Sequence, residues 1–170
     1  MRIVILFILF SSCYLYSQIS QQWVARYNGP ANSYEAAVDI VTDSDGNIYA
    51  AGSTYNTNYD YVLIKYNPAG TIIWVKQYNG TGNASDFISA MDIDNSGNII
   101  VTGRSIGAGS ALEDCVTIKY DSDGNVLWVQ RYNGGNIDAG NEITIDQSDN
   151  IYICGNKYRA AGNPDYLVIK

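Results

Sequence analysis

Two four-residue turns hold carboxylates in a pattern that could bind a cation. Asp43-Ser44-Asp45-Gly46 and Asp121-Ser122-Asp123-Gly124 each place two Asp residues two positions apart beside a Gly. A calcium loop of the EF-hand type needs further oxygen ligands, a Gly at position six and a late bidentate Glu, and neither stretch continues in that way. An Asp side chain can also hydrogen-bond the backbone of its own turn. The sequence therefore favours β-turns closed by Asp, and we predict no metal ligand.

A Gly stands four residues before a Trp at Gly70–Trp74 and again at Gly124–Trp128. This spacing resembles the tryptophan-docking motif of quinoprotein dehydrogenase propellers, which also needs an Ala, an Asp and a Thr ahead of the Trp. The chain has other residues at those positions, namely Ile64, Tyr66 and Ala69 in one copy and Ile118, Tyr120 and Asp123 in the other. The two stretches do not match the Asp-box of sialidase-like propellers either, because the Gly of that motif lies three residues before the Trp and here it lies four residues before it. We expect both tryptophans to pack between elements, and we predict no cofactor site.

An Asp and a Lys recur five residues apart in three places, as Asp60 with Lys65, Asp114 with Lys119, and Asp165 with Lys170. One interpretation is a ring of ligand-binding charges. The other is an interaction that every repeat needs for its own fold, and we favour it because the positions are the same in each copy.

Catalysis of the nucleophile–base type has no support in the sequence. The chain contains no His, which is the commonest general base. No Ser stands at a sequence distance from another residue that would identify that residue as its catalytic base. The net charge of −7 gives no electrostatic attraction for a phosphate backbone. We therefore predict no catalytic residue and exclude nucleic acid as a partner.

The N-terminus has the pattern of an export signal. Met1-Arg2 provides a positive start, Ile3 to Phe10 is an unbroken apolar run, and polar residues follow from Gln18. The run is too short to span a bilayer, so we predict a cleaved signal peptide over residues 1–18 and no membrane span. Cys13 leaves a lipoprotein as the alternative, although Phe10 fits a bacterial lipobox poorly.

Cys115 and Cys154 would remain after cleavage. They fall at non-equivalent positions of different repeats, and nothing in the pattern brings them within disulfide range. We expect each to be a small buried residue in a strand.

All these residues are positioned by an internal repeat. Asp60 to Gly80 (DYVLIKYNPAGTIIWVKQYNG) returns at Asp114 to Gly134 as DCVTIKYDSDGNVLWVQRYNG, and its opening returns at Asp165 to Lys170 as DYLVIK. WVARYNG at Trp23 to Gly29 matches the ends of both copies, and the tryptophans are 51 and 54 residues apart. The landmarks that keep this period are Trp23, Trp74, Trp128, Gly46, Gly97, Gly52, Gly103, Gly155, Asp60, Asp114, Asp165, Tyr78 and Tyr132.

Each period contains four alternating segments that predict strands. They are Ala36–Thr42, Asn47–Ser53, Tyr61–Tyr66 and Thr71–Tyr78, then Phe87–Ile93, Asn98–Ser105, Cys115–Tyr120 and Asn125–Tyr132, and finally Ala139–Ile145, Asn150–Gly155 and Tyr166–Lys170. Four short antiparallel strands in a period near 50 residues are typical of a β-propeller blade. A β-sandwich would not explain the return of WVxxYNG in step.

The predicted fold is therefore all-β, an incomplete β-propeller with four-stranded antiparallel blades. We divide the chain into the signal (1–18), a leading strand and linker (19–34), blade 1 (35–85), blade 2 (86–136) and a truncated blade 3 (137–170). A closed ring needs at least about four blades. We accordingly expect a fragment whose leading strand, Trp23–Tyr27, would complete the last blade of a full ring.

The repeated residues resemble the bacterial SBBP-type β-propeller repeat family. The pattern is D-x-x-G-N-I-Y-x-x-G, then D-Y/C-x-x-I-K-Y, then G-x-x-x-W-x-x-x-Y-N-G, and it is present in blades 1 and 2. Blade 3 departs from it with Asp149 in place of the Gly. The resemblance implies a secreted or cell-surface bacterial protein and no single activity.

Two functions follow as hypotheses. The first is a secreted or cell-surface, non-enzymatic module that acts as a scaffold or binds a protein or glycan through loops on rigid blades. The alternative is a fragment of a propeller enzyme, quinoprotein-like or glycan-processing, with its catalytic residues elsewhere. The partners expected from the sequence are that unidentified ligand and further blades, either from a longer protein or from self-association.

Overall fold

The computed structural model describes residues 20–160 and 162–170. Eleven β-strands in this part of the chain form three antiparallel sheets. Blade 1 contains β1 (Glu35–Thr42), β2 (Ile48–Tyr55), β3 (Tyr59–Tyr66) and β4 (Ile72–Tyr78); blade 2 contains β5 (Asp86–Ile93), β6 (Ile99–Ile106), β7 (Glu113–Tyr120) and β8 (Val126–Tyr132); blade 3 contains β9 (Asp138–Ile145), β10 (Ile151–Tyr158) and β11 (Pro164–Ile169). Each sheet is a meander whose neighbouring strands are consecutive in sequence. The prediction of an all-β, incomplete propeller is confirmed.

The first and second strands of each blade are joined by a tight turn that needs a left-handed residue. Gly46 and Gly97 have φ angles of 77° and 78° at this position, and Asp149 has a φ of 60° in blade 3. Asp tolerates this conformation better than most residues with a side chain. The departure of Asp149 from the repeat pattern therefore leaves the turn intact.

A glycine in the second strand of each blade lies against a bulge in the first strand. The register of β1 shifts between Ala37 and Asp39, and that of β5 shifts between Ile88 and Ala90. The glycines concerned are Gly52, Gly103 and Gly155, and a Cβ atom on any of them would overlap a carbonyl oxygen of the first strand. The recurrence of this Gly is thus explained by the close approach of two backbones.

The blades stack face to face, and the first strand of one blade packs on the sheet of the blade before it. The core between blades 1 and 2 includes Tyr49, Tyr61 and Leu63 from one side and Val116 and Ile118 from the other, all at most 3% exposed. A smaller core around Cys115, Ile153 and Leu167 joins blade 2 to blade 3. Blade 2 is therefore covered on both faces.

The structure corrects three sequence predictions. Strand ends differ from the predicted ones by one to three residues, because edge residues such as Tyr59 also join the ladder. The leading segment Trp23–Tyr27 forms no strand, since no described strand lies beside it. Cys154 is exposed, whereas Cys115 is buried as expected, and both are free thiols.

The predicted signal peptide and Cys13 lie outside the described residues. Across the residues that are described, no helix has the length and apolar character needed to cross a membrane.

Candidate functional site

The Asp that opens each turn uses its carboxylate to close that turn. Asp43 Oδ1 accepts hydrogen bonds from the backbone N–H groups of Asp45 (3.0 Å) and Asn47 (2.8 Å), and Oδ2 accepts one from Asn47 Nδ2 (2.9 Å). The same bonds recur at Asp94, Asp121 and Asp146. These oxygens are therefore occupied by the turn itself.

Two of the repeated lysines, Lys65 and Lys119, point to the same carboxylates. Lys119 Nζ lies 2.7 Å from Asp94 Oδ2, and Lys65 Nζ lies 3.9 Å from Asp43 Oδ2. Burial raises the pKa of Asp94, but hydrogen bonds from Lys119 and Asn98 outweigh this and hold it below the ordinary value of 3.8. The Lys and the turn Asp thus tie the third strand to the first turn within one blade.

The repeated Asp60, Asp114 and Asp165 have different partners in the three blades. Asp114 Oδ2 lies 3.0 Å from Arg131 Nη1, and Asp165 forms an exposed pair with Arg159. Asp60 has no cation at that position, because Gln77 stands in blade 1 where blade 2 has Arg131. Burial and the charge of Asp86 raise the pKa of Asp60.

A second set of acidic residues, which the sequence analysis did not identify, joins successive blades. The Gly of each YNG stretch donates its N–H to a carboxylate at the start of the next first strand. The pairs are Gly29 with Glu35 (3.1 Å), Gly80 with Asp86 (2.5 Å) and Gly134 with Asp138 (2.5 Å). An acidic residue four to six positions after YNG was the available signal.

Buried carboxylate oxygens without partners occur at both blade junctions. The Oδ1 atoms of Asp60, Asp86, Asp114 and Asp138 are buried and have no hydrogen-bond partner. A perturbed carboxyl pair is one mark of a catalytic site, and burial raises the pKa of Asp86 as well. Neither Asp60 nor Asp86 lines the cavities beside blade 1, between blades 2 and 3, or on blade 3. No substrate path to this pair is therefore present in those cavities.

The repeated tryptophans connect neighbouring blades. Trp74 Nε1 donates to the Ser122 carbonyl oxygen of blade 2 (3.2 Å), and its ring lies against Gly124. Trp23 makes the equivalent contacts with blade 1, donating to the Pro68 carbonyl oxygen (3.1 Å). Trp128 lines the cavity between blades 2 and 3. The repeated tyrosines take part too, since the ring of Tyr78 lies 5.6 Å from that of Tyr61, while Tyr132 lies in the smaller core.

Within residues 20–160 and 162–170, no three His, Cys, Asp or Glu side chains are grouped so that they could hold a metal ion.

One aromatic cluster at the loop end of blades 1 and 2 does not follow the repeat. Tyr59 lies at its centre, with ring centroids 5.9 Å from Tyr34, 5.0 Å from Tyr55 and 5.1 Å from Phe87. Arg104 stacks on the Phe87 ring at 4.8 Å. Tyr34 is 58% exposed. We call these five residues the aromatic cluster.

Most of the equivalent positions elsewhere carry other side chains, although Tyr158 of blade 3 holds the position of Tyr55. Blade 2 has Ser85, Ile106 and Glu113 where blade 1 has Tyr34, Tyr55 and Tyr59, and blade 3 has Ala139 in place of Phe87. No other blade carries the full set of these aromatics and each still forms its sheet, so the scaffold does not require the full set. A position that differs between repeats is where a binding surface can be built.

Stacked four-stranded meanders joined by repeated tryptophans define a β-propeller repeat protein. The family model of the SBBP β-propeller repeat matches residues 22–60, from the leading segment to the start of β3. The resemblance drawn from the sequence is thereby confirmed over these residues, and the match is consistent with a partial SBBP repeat protein. No curated protein matches it.

Proposed function

We propose that the chain is a secreted or cell-surface propeller module that binds a protein or a glycan and catalyses no reaction. The observation that supports this proposal is the aromatic cluster. It combines the exposed Tyr34, the partly buried rings of Tyr55, Tyr59 and Phe87, and the charge of Arg104, whose side chain lies 3.3 Å from that of Glu113. Aromatic rings with polar tips are favoured at binding surfaces because they offer a large contact area and a hydrogen-bonding group together.

The cluster rests on a rigid base. Tyr34 directly precedes β1, and the other members lie at or near the ends of β2, β3, β5 and β6. The loops beside the cluster are held by backbone bonds such as Gly82 N–H to the Ile106 carbonyl oxygen (3.1 Å). Ser85 Oγ accepts a bond from the Tyr59 N–H at 3.4 Å. Little ordering of the protein is then needed on binding, which favours affinity.

Export is supported by the sequence of residues 1–18 alone. The apolar run after Arg2 is the feature that supports it. Expression of the full chain in a bacterial host, followed by N-terminal sequencing of the exported product, tests it. A product that keeps Met1 and stays in the cytoplasm would overturn this part of the proposal.

Binding is tested by probing glycan and peptide arrays with the purified chain and with Tyr34→Ala. We expect a restricted set of ligands and at least a tenfold loss of affinity in the variant, since removal of a stacked ring costs on the order of 1–3 kcal/mol. Tyr158→Ala is the matched control, because Tyr158 holds the position of Tyr55 in blade 3 outside the cluster. Equal losses in both variants, or ligands that Tyr34→Ala binds unchanged, would contradict the proposal.

A further inference from the structure

The leading segment, Trp23–Tyr27, lies on blade 1 in the way that a fourth strand lies on the next blade. Trp23 bonds to the Pro68 carbonyl oxygen as Trp74 bonds to that of Ser122, and Pro68 and Ser122 occupy one position of successive repeats. No described strand lies beside the segment. It therefore has the place of a fourth strand without the other three strands of a blade.

Blade 3 has the complementary arrangement. Among the described residues, its strand order ends at β11, which pairs with β10 alone, whereas β3 pairs with β4 and β7 pairs with β8. The sequence of β11 (DYLVIK with Lys170) is nearly that of β3 (DYVLIK with Lys65). The strand edge that binds WVKQYNG in blade 1 is thus repeated in blade 3.

The outer face of blade 3 is also uncovered. Tyr61 and Leu63 of β3 are 2% and 3% exposed beneath blade 2, while Tyr166 and Val168 at the equivalent positions of β11 are 98% and 72% exposed. The surface that covers Tyr61 and Leu63 is the front face of blade 2, which presents Ile99, Val116 and Ile118.

Blade 1 presents the same kind of front face. Ile48, Val62 and Ile64 stand where blade 2 has Ile99, Val116 and Ile118, and with Trp23 and Tyr27 they line a cavity of about 280 Å³. One end of the molecule thus carries a front face and the other an uncovered back face. The equivalent pair of surfaces, the back face of blade 1 and the front face of blade 2, is in contact within the chain.

We propose that a second copy of this chain docks on blade 3, with its leading segment added to β11 as the fourth strand. We apply the register of β3 with β4 to β11 and the leading segment of the second copy. This register places Tyr27 opposite Tyr166, Ala25 opposite Val168 and Trp23 opposite Lys170. Addition of a strand to a sheet edge supplies main-chain hydrogen bonds, and side-chain pockets supply specificity.

Charge supports the same docking. Arg26 holds the position of Arg131, which binds Asp114 in blade 2. Asp165 holds the position of Asp114 in blade 3. Arg26 of the second copy is therefore placed next to Asp165, as Arg131 is next to Asp114, and shares that carboxylate with Arg159.

The contact is heterologous, and it closes into a ring when the rotation of each copy allows. Two copies with three blades each give six blades, within the range of about four to eight that propellers adopt. The inference goes beyond the proposed binding function and does not depend on it. No residue of the aromatic cluster lines the cavity on the front face of blade 1.

The first test is the mass of the purified full chain, measured by sedimentation equilibrium over a range of concentrations. We expect a dimer of the 18.7 kDa chain, and at least a tenfold weaker dimer in Val168→Asp. Val126→Asp is the matched control, because Val126 is 52% exposed on blade 2, away from both docking faces. A monomer at every concentration overturns the proposal, and so does association that survives Val168→Asp, including association driven by the apolar residues 3–10.

The second test examines the register by disulfide trapping in a Cys154→Ser background. Ala25→Cys combined with Val168→Cys places two thiols on directly opposed residues of the proposed pair, and we expect an oxidised dimer on a non-reducing gel. Ala25→Cys with Tyr166→Cys is displaced by two residues, and it should cross-link at least tenfold more slowly. Equal rates, or no cross-link in the opposed pair, would rule out this arrangement.

Discussion

At the scale of single residues, the carboxylates of this protein fall into two environments. Those that open turns, such as Asp146, are surrounded by hydrogen-bond donors. Those at the blade junctions, such as Asp60 and Asp86, are buried with an oxygen that has no partner. Donors stabilise the charged form, whereas burial disfavours it. The two groups therefore respond to pH in opposite directions.

The junction carboxylates give a prediction for stability. Asp60→Asn removes a buried charge that lacks a cation, so we expect a higher Tm at pH 7. Because the pKa of Asp60 is raised above 3.8, its ionisation begins to lower stability as the pH rises through 3.8, and the full loss is reached above the raised pKa. The gain from Asp60→Asn should therefore vanish near pH 3. Thermal unfolding at the two pH values measures this difference.

Asp114→Asn is the control for that experiment. Asp114 is paired with Arg131, so the substitution should cost about 1–3 kcal/mol of unfolding free energy at pH 7. A Tm that falls in both variants would mean that Asp60 has a stabilising partner.

The turn carboxylates give a second prediction. Hydrogen bonds from the Asn150 side chain and backbone lower the pKa of Asp146 to about 2. A lowered pKa contributes stability that is present above 3.8 and is lost as the pH falls through about 2. Titration of the Asp146 carboxyl by NMR should show this pKa, and Asn150→Ala should move it back toward 3.8. If the pKa stays unchanged in the variant, the Asn150 side chain does not cause the shift.

At the scale of elements, each blade depends on a glycine that lies opposite a bulge. Gly103→Ala would bring a Cβ onto the Phe87 carbonyl oxygen, and neither backbone can move without disturbing the ladder. We expect a loss of about 2–3 kcal/mol, measured by denaturant unfolding.

Gly107→Ala is the matched control for that substitution. Its new Cβ would meet the nearest atom, Arg131 Nη1, at 3.5 Å, an ordinary contact. We expect a change within about 0.5 kcal/mol. Similar losses at both glycines would show that backbone approach is not the reason for the repeated Gly.

At the scale of the whole molecule, stability should follow the stacking of the blades. Arrays of this kind are stabilised by each unit and by the contacts between neighbours. Blade 2 has neighbours on both faces, while blade 3 has one described neighbour. The blades are therefore expected to open from blade 3.

Hydrogen exchange measured by mass spectrometry checks this order. At the lowest usable protein concentration, we expect slow exchange in β6 and β7 and fast exchange in β10 and β11. Exchange in β11 should slow as the concentration rises, because docking of a second copy would pair its edge. Uniform exchange across the three blades would contradict the order, and exchange in β11 that is independent of concentration would count against docking.

The class of fold follows from the amino-acid sequence alone. The period of the tryptophans, the alternation within each segment and the turn glycines specify the eleven strands, since strand and turn signals are local. The strand ends and the absence of a strand at Trp23–Tyr27 could not be predicted, because pairing depends on which neighbour is present. The aromatic cluster also escaped prediction, since its members are separated by up to 70 residues in sequence.

The roles of the repeated charges became visible only in the folded chain. The sequence showed that Asp60, Asp114 and Asp165 recur, but the partners of these residues come from other positions in the chain. Blade 1 has Gln77 where blade 2 has Arg131, and Asp60 therefore lacks the cation that Asp114 has. The exposure of Cys154 and Val168 has the same kind of origin, because a β-strand buries a side chain only where another sheet covers that face. Local pattern thus determines the strands, and contacts between blades determine which of their residues are buried, paired or free to bind.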